Sequence, residues 1–222
     1  MSAQDSQDWV TVETTFPIIP PNAERKAVKT QRLLLRPFQE DDLVAFRELR
    51  TQPEVMIHTV KGCIDYTVEE TREVLQKLLP PNDSRNFQFG VFLASTRELI
   101  GEGGVHTLET PPAGWPEIGY KFKKEHWGKG YGTEFLQGFL EAWWSLPRTT
   151  KMLQVIGSSV EGKGNVMERV YADALLDNQK SGRVLQKVGF KKFREWTEID
   201  KRPGQGGVTI DLAGYYLLRK DV

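Results

Sequence analysis

The sequence Trp127-Gly128-Lys129-Gly130-Tyr131-Gly132 decides the interpretation of this chain, because it joins a predicted strand, Glu117–Phe122, to a predicted amphipathic helix at 133–144. Glycine has no Cβ atom, so three alternating glycines let the backbone adopt positive φ values and approach a ligand closely. The helix that follows directs its unpaired N–H groups and its positive dipole end at the same point. The sequence therefore predicts an anion site, and phosphate is favoured over a purely steric turn.

Two common phosphate-binding loops do not fit this spacing. A Walker loop needs a serine or threonine after its lysine to hold magnesium, whereas Lys129 is followed by Gly130. A dinucleotide fingerprint has the spacing G-x-G-x-x-G near the start of a βαβ unit, whereas these glycines are spaced G-x-G-x-G deep in the chain. Nucleoside triphosphate hydrolysis is disfavoured, and NAD binding stays a minor alternative.

Composition limits the classes of partner. The 222 residues include 30 basic and 30 acidic side chains, so no net charge attracts nucleic acid or an acidic membrane surface. The single cysteine, Cys63, allows neither an intramolecular disulfide nor a cysteine-based zinc cluster, and the three dispersed histidines suggest no metal site. No apolar segment approaches the ~18 residues of a membrane-spanning helix, and the N-terminus lacks a signal-peptide core. We expect a cytoplasmic protein, with the nucleus not excluded, and leave its oligomeric state open.

The pattern of apolar residues predicts one α+β domain at 28–222, preceded by a polar tail or arm at 1–27. Residues 146–168 combine a strand-like segment with glycine-rich sequence, so they are predicted to form an insertion or lid. The order of elements favours a mixed sheet covered by helices. The further predicted strands lie at 32–36, 86–95, 99–108, 166–176, 190–199 and 208–219, and the further helices at 41–50, 67–79 and 178–188.

A second helix N-terminus, at Asn178 and Ser181, is the other candidate binding segment. Helix capping alone accounts for an asparagine at this position. Alternatively, an asparagine amide with a serine hydroxyl three residues later offers donors and acceptors on nearly one helix face, which suits an amide-containing ligand. Both interpretations stay open at the level of sequence.

Together the two segments resemble the GNAT-type N-acetyltransferases, in particular the branch similar to the ribosomal-protein N-terminal acetyltransferases RimJ and RimL. The resemblance extends over about residues 30–219. The matching segments, in chain order, are Thr30-Gln31-Arg32-Leu33-Leu34-Leu35-Arg36-Pro37-Phe38, Ile100-Gly101-Glu102-Gly103-Gly104, Glu117-Ile118-Gly119-Tyr120, Trp127 to Glu134, and Asn178-x-x-Ser181 running to Lys187-Val188-Gly189-Phe190.

This resemblance implies a central mixed, mostly antiparallel sheet of about seven strands with splayed parallel central strands, flanked by about four helices. It also implies an acyltransferase that uses acetyl-CoA as co-substrate and no metal. Pyrophosphate would bind the amides of residues 127–132, and pantetheine would lie between strands 117–122 and 166–176. Lys123, Lys124 and Lys129 could offset the phosphate charge. The expected co-substrate residues are Tyr120, Lys121, Phe122, Trp127, Gly128, Lys129, Gly130, Tyr131, Gly132, Thr133, Asn178 and Ser181.

The resemblance also guides the choice of catalytic residues. Many family members carry a tyrosine acid four residues before the glycine of the Gly-Phe pair, where this chain has Leu185, so Ser181 is the implied replacement beside the CoA sulfur. A general base could be Glu117, Glu102 or His106, and Glu117 is favoured. The donor to the developing oxyanion is expected to be a backbone N–H near Tyr120 or Lys121.

The acceptor is predicted to be a primary amine that attacks acetyl-CoA directly in a ternary complex. An α-amino group, with a pKa of about 7.7 to 8, is partly neutral near pH 7, whereas a lysine near ~10.4 must lose its proton at a cost of roughly 4 kcal/mol. A peptide N-terminus is therefore the favoured acceptor. Two alternatives remain: a small-molecule acetyltransferase acting on a polyamine or amine antibiotic, and a degenerate protein that binds acetyl-CoA without turnover, which Leu185 favours.

Overall fold

The computed structural model describes residues 9–109, 113–162, 164–203 and 205–219. None of its helices is long and apolar enough to cross a membrane within these ranges. The strands are β1 (Trp9–Pro17), β2 (Val28–Lys29), β3 (Leu33–Arg36), β4 (Phe87–Leu93), β5 (Leu99–Thr107), β6 (Glu117–Phe122), β7 (Arg148–Ile156), β8 (Gly164–Asn165), β9 (Arg169–Leu175), β10 (Lys191–Ile199) and β11 (Thr209–Leu218). The helices are α1 (Leu43–Arg50), α2 (Pro53–Met56), α3 (Val68–Gln76), α4 (Tyr131–Ser145) and α5 (Gln179–Val188).

Eight strands form the main sheet in the order β10-β11-β9-β6-β5-β4-β3-β2. Every neighbouring pair is antiparallel except β6 and β9, which are parallel. The predicted mixed, mostly antiparallel α+β sheet is confirmed, and each of the seven predicted strands and four predicted helices is present, with ends shifted by a few residues.

Helices cover both faces of this sheet because its strands alternate apolar side chains. Leu33 and Leu35 belong to the core under α4, together with Phe135 and Phe139. Leu34, which points the other way, packs with Phe46 of α1 and Leu75 of α3. Helix α4 begins directly after Gly130, which has a φ of 82°, and ends at Ser145, two residues before Pro147. The two helix layers leave the carboxyl ends of β6 and β9 beside the N-termini of α4 and α5.

The structure differs from the sequence prediction at 146–168. Within this segment, predicted to be an insertion or lid, Arg148–Ile156 forms strand β7. Strand β7 pairs antiparallel with β1 along its whole length, from Trp9 opposite Ile156 to Pro17 opposite Arg148. Val12, Thr14 and Phe16 are buried at alternate positions of β1, and this three-stranded sheet packs through Trp115 and Tyr171. The partner strands lie far apart in the chain, so local sequence could not reveal the pairing. The proposed boundary at residue 27 stays a prediction.

Candidate active site

Strands β6 and β9 form a V that opens toward their carboxyl ends. They are in register at one pair only, Glu117 opposite Tyr171, where the Tyr171 N–H donates to the Pro116 carbonyl at 2.8 Å. Strand β6 stays paired with β5 from Glu117 to Phe122, and β9 stays paired with β11. The strands therefore separate beyond one pair, as predicted, and leave backbone edges that a ligand can complete.

The ladder between β5 and β6 determines which backbone groups face this gap. Lys123 donates its N–H to the Ile100 carbonyl at 2.8 Å, and hydrogen-bonded pairs recur at every second residue of an antiparallel ladder. The backbone groups of Lys121 and Gly119 therefore point toward β5, whereas those of Tyr120 and Phe122 point toward the gap. Of the two predicted oxyanion donors, the register favours the Tyr120 N–H over that of Lys121.

The glycine turn ends in an exposed helix N-terminus at the open end of the V. Gly128 and Gly130 have φ values of 74° and 82°, which favour glycine, and no side chain caps α4. The first N–H of the turn with an intrahelical partner is that of Glu134, which donates to the Gly130 carbonyl at 3.1 Å. Within the described residues, the N–H groups of Tyr131, Gly132 and Thr133 have no protein acceptor, so they are available to an anion.

Arg32 braces this turn from β3, and the sequence analysis did not identify it. Its guanidinium donates to the Lys129 carbonyl at 2.9 Å, pairs with Glu134 at 2.7 Å and lies 4.5 Å from the centre of the Tyr131 ring. The Arg32 charge is already paired with Glu134, so its part in the site is to hold the turn through the Lys129 carbonyl. In the sequence, Arg32 was notable only as part of the strand segment that resembles the family. That resemblance does not indicate that Arg32 contacts a turn nearly a hundred residues later in the chain.

The structure distinguishes the lysines that were considered for phosphate. Lys123 is buried and pairs with Glu48 at 2.7 Å, and Lys124 pairs with Glu54 at 2.5 Å, so both are engaged on α1 and α2. Lys129 is exposed within the turn. Lys180, at the start of α5, places its Nζ 4.8 Å from the centre of the Trp127 ring. Lys129 and Lys180 are thus the lysines that flank the candidate anion site.

Asn178 fills the first of the two roles that the sequence left open, that of a helix cap. Its Oδ1 accepts from the Ser181 N–H at 3.2 Å and so caps α5. In the part of the chain that the structure describes, its Nδ2 has no hydrogen-bond partner. The cap therefore fixes the side chain while leaving a donor at the carboxyl end of β9, across the gap from Tyr120.

Tyr120 and Ser181 meet on the helix-covered side of the gap. The Tyr120 hydroxyl lies 3.1 Å from the Ser181 Oγ and 3.3 Å from the Ser181 carbonyl. Burial raises the pKa of Tyr120 to about 12, so the phenol keeps its proton at neutral pH. The Tyr120 side chain, named in the sequence analysis mainly for its backbone, is thus a donor beside Ser181. Leu185 is buried in the core under α5.

The candidate bases lie on the opposite face of the sheet. Glu117, which is 12% exposed, has its Oε1 3.6 Å from the Nε2 of His106. Burial lowers the pKa of His106 below its ordinary value. Glu102 is buried and forms a short ion pair with Lys121, so its carboxylate is already engaged. Of the three predicted candidates, Glu117 lies nearest the vertex of the V.

Asp173 joins Glu117 on this face, and the sequence analysis missed it. It lies two residues beyond Tyr171 on β9, where the strand has already left β6. Burial, with the nearby charge of Glu117, raises the pKa of Asp173 to about 7. A lone carboxylate within the apolar segment Val170–Leu175 was the available signal. Among the described residues, no group of three or more His, Cys, Asp or Glu side chains is arranged to hold a metal ion.

Comparison with known proteins agrees with this geometry. The family model described as an acetyltransferase (GNAT) domain matches residues 32–191, which is more than half of the chain. Among curated proteins, the chain is similar to "Uncharacterized N-acetyltransferase YoaA" of Bacillus subtilis (strain 168), with 26% identity over 166 residues that cover 74% of this chain and 82% of the relative.

Two solved structures share the fold at lower identity. The ribosomal-protein-S5-alanine acetyltransferase from Vibrio fischeri is 18% identical and superposes with a TM-score of 0.62, covering 89% of this chain and 98% of that one. The ribosomal L7/L12 α-N-protein acetyltransferase RimL, solved in complex with coenzyme A, is also 18% identical, with a TM-score of 0.64 and coverage of 87% and 98%. At this identity the likeness establishes the fold.

Proposed function

The chain belongs to the GNAT acetyltransferase family and is an acetyl-CoA-dependent N-acetyltransferase, and we propose that its acceptor is a primary amine, with a peptide N-terminus favoured. The observation that carries the proposal is the uncapped N-terminus of α4 at the open end of the β6–β9 gap. A diphosphate on the N–H groups of Tyr131, Gly132 and Thr133 would let an attached pantetheine chain enter the gap.

The co-substrate is proposed to lie between β6 and β9 with its amides completing the strand edges. The backbone groups of Tyr120 and Phe122 supply hydrogen bonds from one side, and the Asn178 Nδ2 supplies one from the other. Lys129 and Lys180 offset the phosphate charge, and Arg32 holds the turn through the Lys129 carbonyl. The remaining predicted contact residues, Trp127, Gly128 and Gly130, shape the turn, since the Trp127 Nε1 donates to the Phe122 carbonyl at 2.7 Å and holds the turn against β6.

The proposed reaction is direct attack of a neutral amine on the thioester carbonyl. The Tyr120 backbone N–H donates to the oxyanion that forms, and the Ser181 hydroxyl donates to the departing sulfur. The Tyr120 phenol keeps its proton, and its oxygen lies within hydrogen-bond distance of both the Oγ and the carbonyl of Ser181, so it positions the Ser181 hydroxyl beside the gap. No covalent enzyme intermediate is required, and Glu117 remains the predicted base on the opposite face.

The acceptor would approach from the face that carries Glu117 and Asp173. Two carboxylates beside the gap favour the binding of an acceptor that arrives as a protonated amine and loses its proton before it attacks. A peptide N-terminus satisfies this requirement and loses its proton more readily than a lysine side chain. The two solved structures that share the fold are named as ribosomal-protein acetyltransferases, which also supports a protein acceptor. A polyamine or other small amine is the second candidate, and the same carboxylates support it.

The test is a titration followed by a product search. Calorimetric titration with acetyl-CoA, CoA, NAD and ATP should show binding of the two CoA species and weaker or no binding of the others. Thiol release from acetyl-CoA is then measured with peptides bearing free N-termini, with their N-terminally blocked counterparts, and with spermidine. Acetylation of free peptides alone supports the favoured acceptor, whereas acetylation of spermidine alone supports the small-molecule alternative. Binding of acetyl-CoA with background thiol release over the whole panel would instead identify a binding protein.

A further inference from the structure

We propose that Asp173 is a second catalytic carboxylate of this site, and that it accepts the proton released by the attacking amine at the open face of the β6–β9 gap. This inference rests on the acetyl transfer proposed above. It names a residue on β9 that neither the motif on β6 nor the glycine turn indicates.

Asp173 lies just beyond the vertex of the V, where the gap opens. Glu117 and Tyr171 are opposite each other at the vertex, so Asp173 and Gly119, each two residues further on, lie at the same level on the two separating strands. Side chains at i and i+2 share a face, which puts Asp173 on the same face as Glu117 and Tyr171. Tyr120, next to Gly119, points to the helix-covered face instead.

Glycines occupy the strand positions on both sides of Asp173. The residue opposite Asp173 on β11 is Gly214, and the residue at its level on β6 is Gly119. A Cβ atom at Gly119 would lie 3.1 Å from the His106 ring, so the absence of a side chain there leaves room for His106 beside the gap. A Cβ atom at Gly214 would likewise lie 3.1 Å from the Arg194 Cγ, so the two glycines allow the side chains of His106 and Arg194 to lie beside Asp173.

Charged groups of both signs surround Asp173. Glu117 and Glu198 face it with negative charge from β6 and β10, while Arg194 of β10 and, when protonated, His106 of β5 oppose them, and Tyr171 on its own strand is neutral. Burial and the Glu117 charge keep the carboxyl pKa near neutrality, at about 7. As pH rises through this range, the carboxyl pair loses a proton and can then accept one from the amine. A base with such a pKa suits proton transfer near pH 7.

The step balances without any further reactant. The amine first gives its ammonium proton to water, the neutral nitrogen then forms a bond to the thioester carbon, and the carbonyl oxygen takes up the negative charge. The nitrogen then gives its extra proton to the Asp173 carboxylate, the carbonyl re-forms, and the carbon–sulfur bond breaks. The sulfur leaves as thiolate toward Ser181, and Asp173 returns its proton to water. Proton removal on one face and thiolate departure on the other avoid competition for the same space.

Asp173→Asn tests this assignment, with Asp211→Asn on the exposed side of the neighbouring strand as the matched control. With an N-terminally free peptide or spermidine as acceptor, whichever wild type acetylates, we expect kcat/KM at pH 7 to fall by about 100-fold or more in Asp173→Asn. The acetyl-CoA Kd should stay within about twofold, and the acidic limb of the pH profile should disappear. Unchanged kcat/KM with an unchanged acidic limb would overturn the proposal.

A carboxyl titration separates this proposal from the function it rests on. The protein is labelled with ¹³C at its aspartate carboxyls, and the NMR signal of Asp173 is identified as the one missing from Asp173→Asn. This signal should titrate near pH 7 in wild type and at lower pH in Glu117→Gln. A midpoint near 4 would overturn the proposal even if acetylation is found. If thiol release stayed at background with every amine, the proposed acetyl transfer itself would be wrong, whatever the titration midpoint of Asp173. A carboxyl group with a raised pKa destabilises the fold at pH values above that pKa, so Asp173→Asn should have an equal or higher Tm than wild type at pH 8. Such a Tm would exclude misfolding as the cause of lost activity.

Discussion

The hydroxyl oxygen of Tyr120 lies 3.1 Å from the Oγ of Ser181, although 61 positions separate the two residues in the chain. Tyr120 reaches Ser181 from β6 on the face covered by α4 and α5, while its neighbour Gly119 and Glu117 belong to the open face. The alternation of a single strand thus divides the site, with a hydroxyl pair on one side and carboxylates on the other.

Gly130→Val should weaken acetyl-CoA binding severely, by roughly tenfold or more, because a branched side chain at a φ of 82° distorts the turn and blocks backbone approach. The added Cβ would also lie 3.4 Å from the Arg32 Nη2. Calorimetric titration measures the affinity, and thermal unfolding shows whether the variant folds. Gly206→Val is the matched control, since nothing lies within 4 Å of its Cβ position. A folded Gly130→Val protein with wild-type affinity would contradict the anion site.

Ser181→Ala should lower kcat by roughly tenfold or more while leaving the acetyl-CoA Kd nearly unchanged, because the hydroxyl is proposed to act on the departing sulfur. Tyr120→Phe retains the ring packed 6.1 Å from Phe135 but removes the donor to Ser181, so it should also lower kcat. If the two hydroxyls act in series, the double variant will lose less than the product of the single losses. Ser145→Ala, at the exposed end of α4, is the control. An unchanged kcat in Ser181→Ala would remove Ser181 from the mechanism.

Asn178→Asp and Asn178→Ala should separate capping from ligand binding. Aspartate keeps an oxygen that can accept from the Ser181 N–H, so its stability should match wild type, but it lacks the Nδ2 donor and should bind acetyl-CoA more weakly. Alanine loses both functions and should also cost about 1 kcal/mol of stability. Calorimetry and urea denaturation measure the two effects. If Asn178→Asp binds acetyl-CoA as well as wild type does, Asn178 serves only as a helix cap.

Asp65 should contribute stability that is lost in acid. Burial alone would raise its pKa, but hydrogen bonds from Arg50, Lys61 and Thr71 outweigh burial and lower the pKa to about 2. A lowered pKa stabilises the fold above the unfolded value near 4, and this stability is lost as pH falls toward 2. Asp65→Asn should cost about 2 kcal/mol at pH 7 and less at pH 3, by urea denaturation. Exposed Asp41→Asn is the control, and an equal cost at both pH values would contradict the prediction.

The sequence predicted the main sheet well because its signals are local. Alternating apolar residues marked β4 to β6, and the turn at Gly128 and Gly130 marked the start of α4. These features depend on side-chain period and on backbone φ, which neighbouring residues determine. The pairing of β1 with β7 depends instead on residues about 140 positions apart, so the sequence analysis interpreted both as peripheral. Their burial against Trp115 and Tyr171 shows that they complete a second layer.

The sequence by itself determined the family, the fold class, and the glycine turn with Asn178 and Ser181 as candidates for binding. Only the tertiary structure decided which backbone groups face the gap, that Lys123 is engaged by Glu48, and that Asp173 lies on the same face as Glu117. The reason is physical: helix caps and turns arise from interactions within a few residues. The register of a ladder, the divergence of two strands and the shared charge of two carboxylates arise only when distant segments pack together.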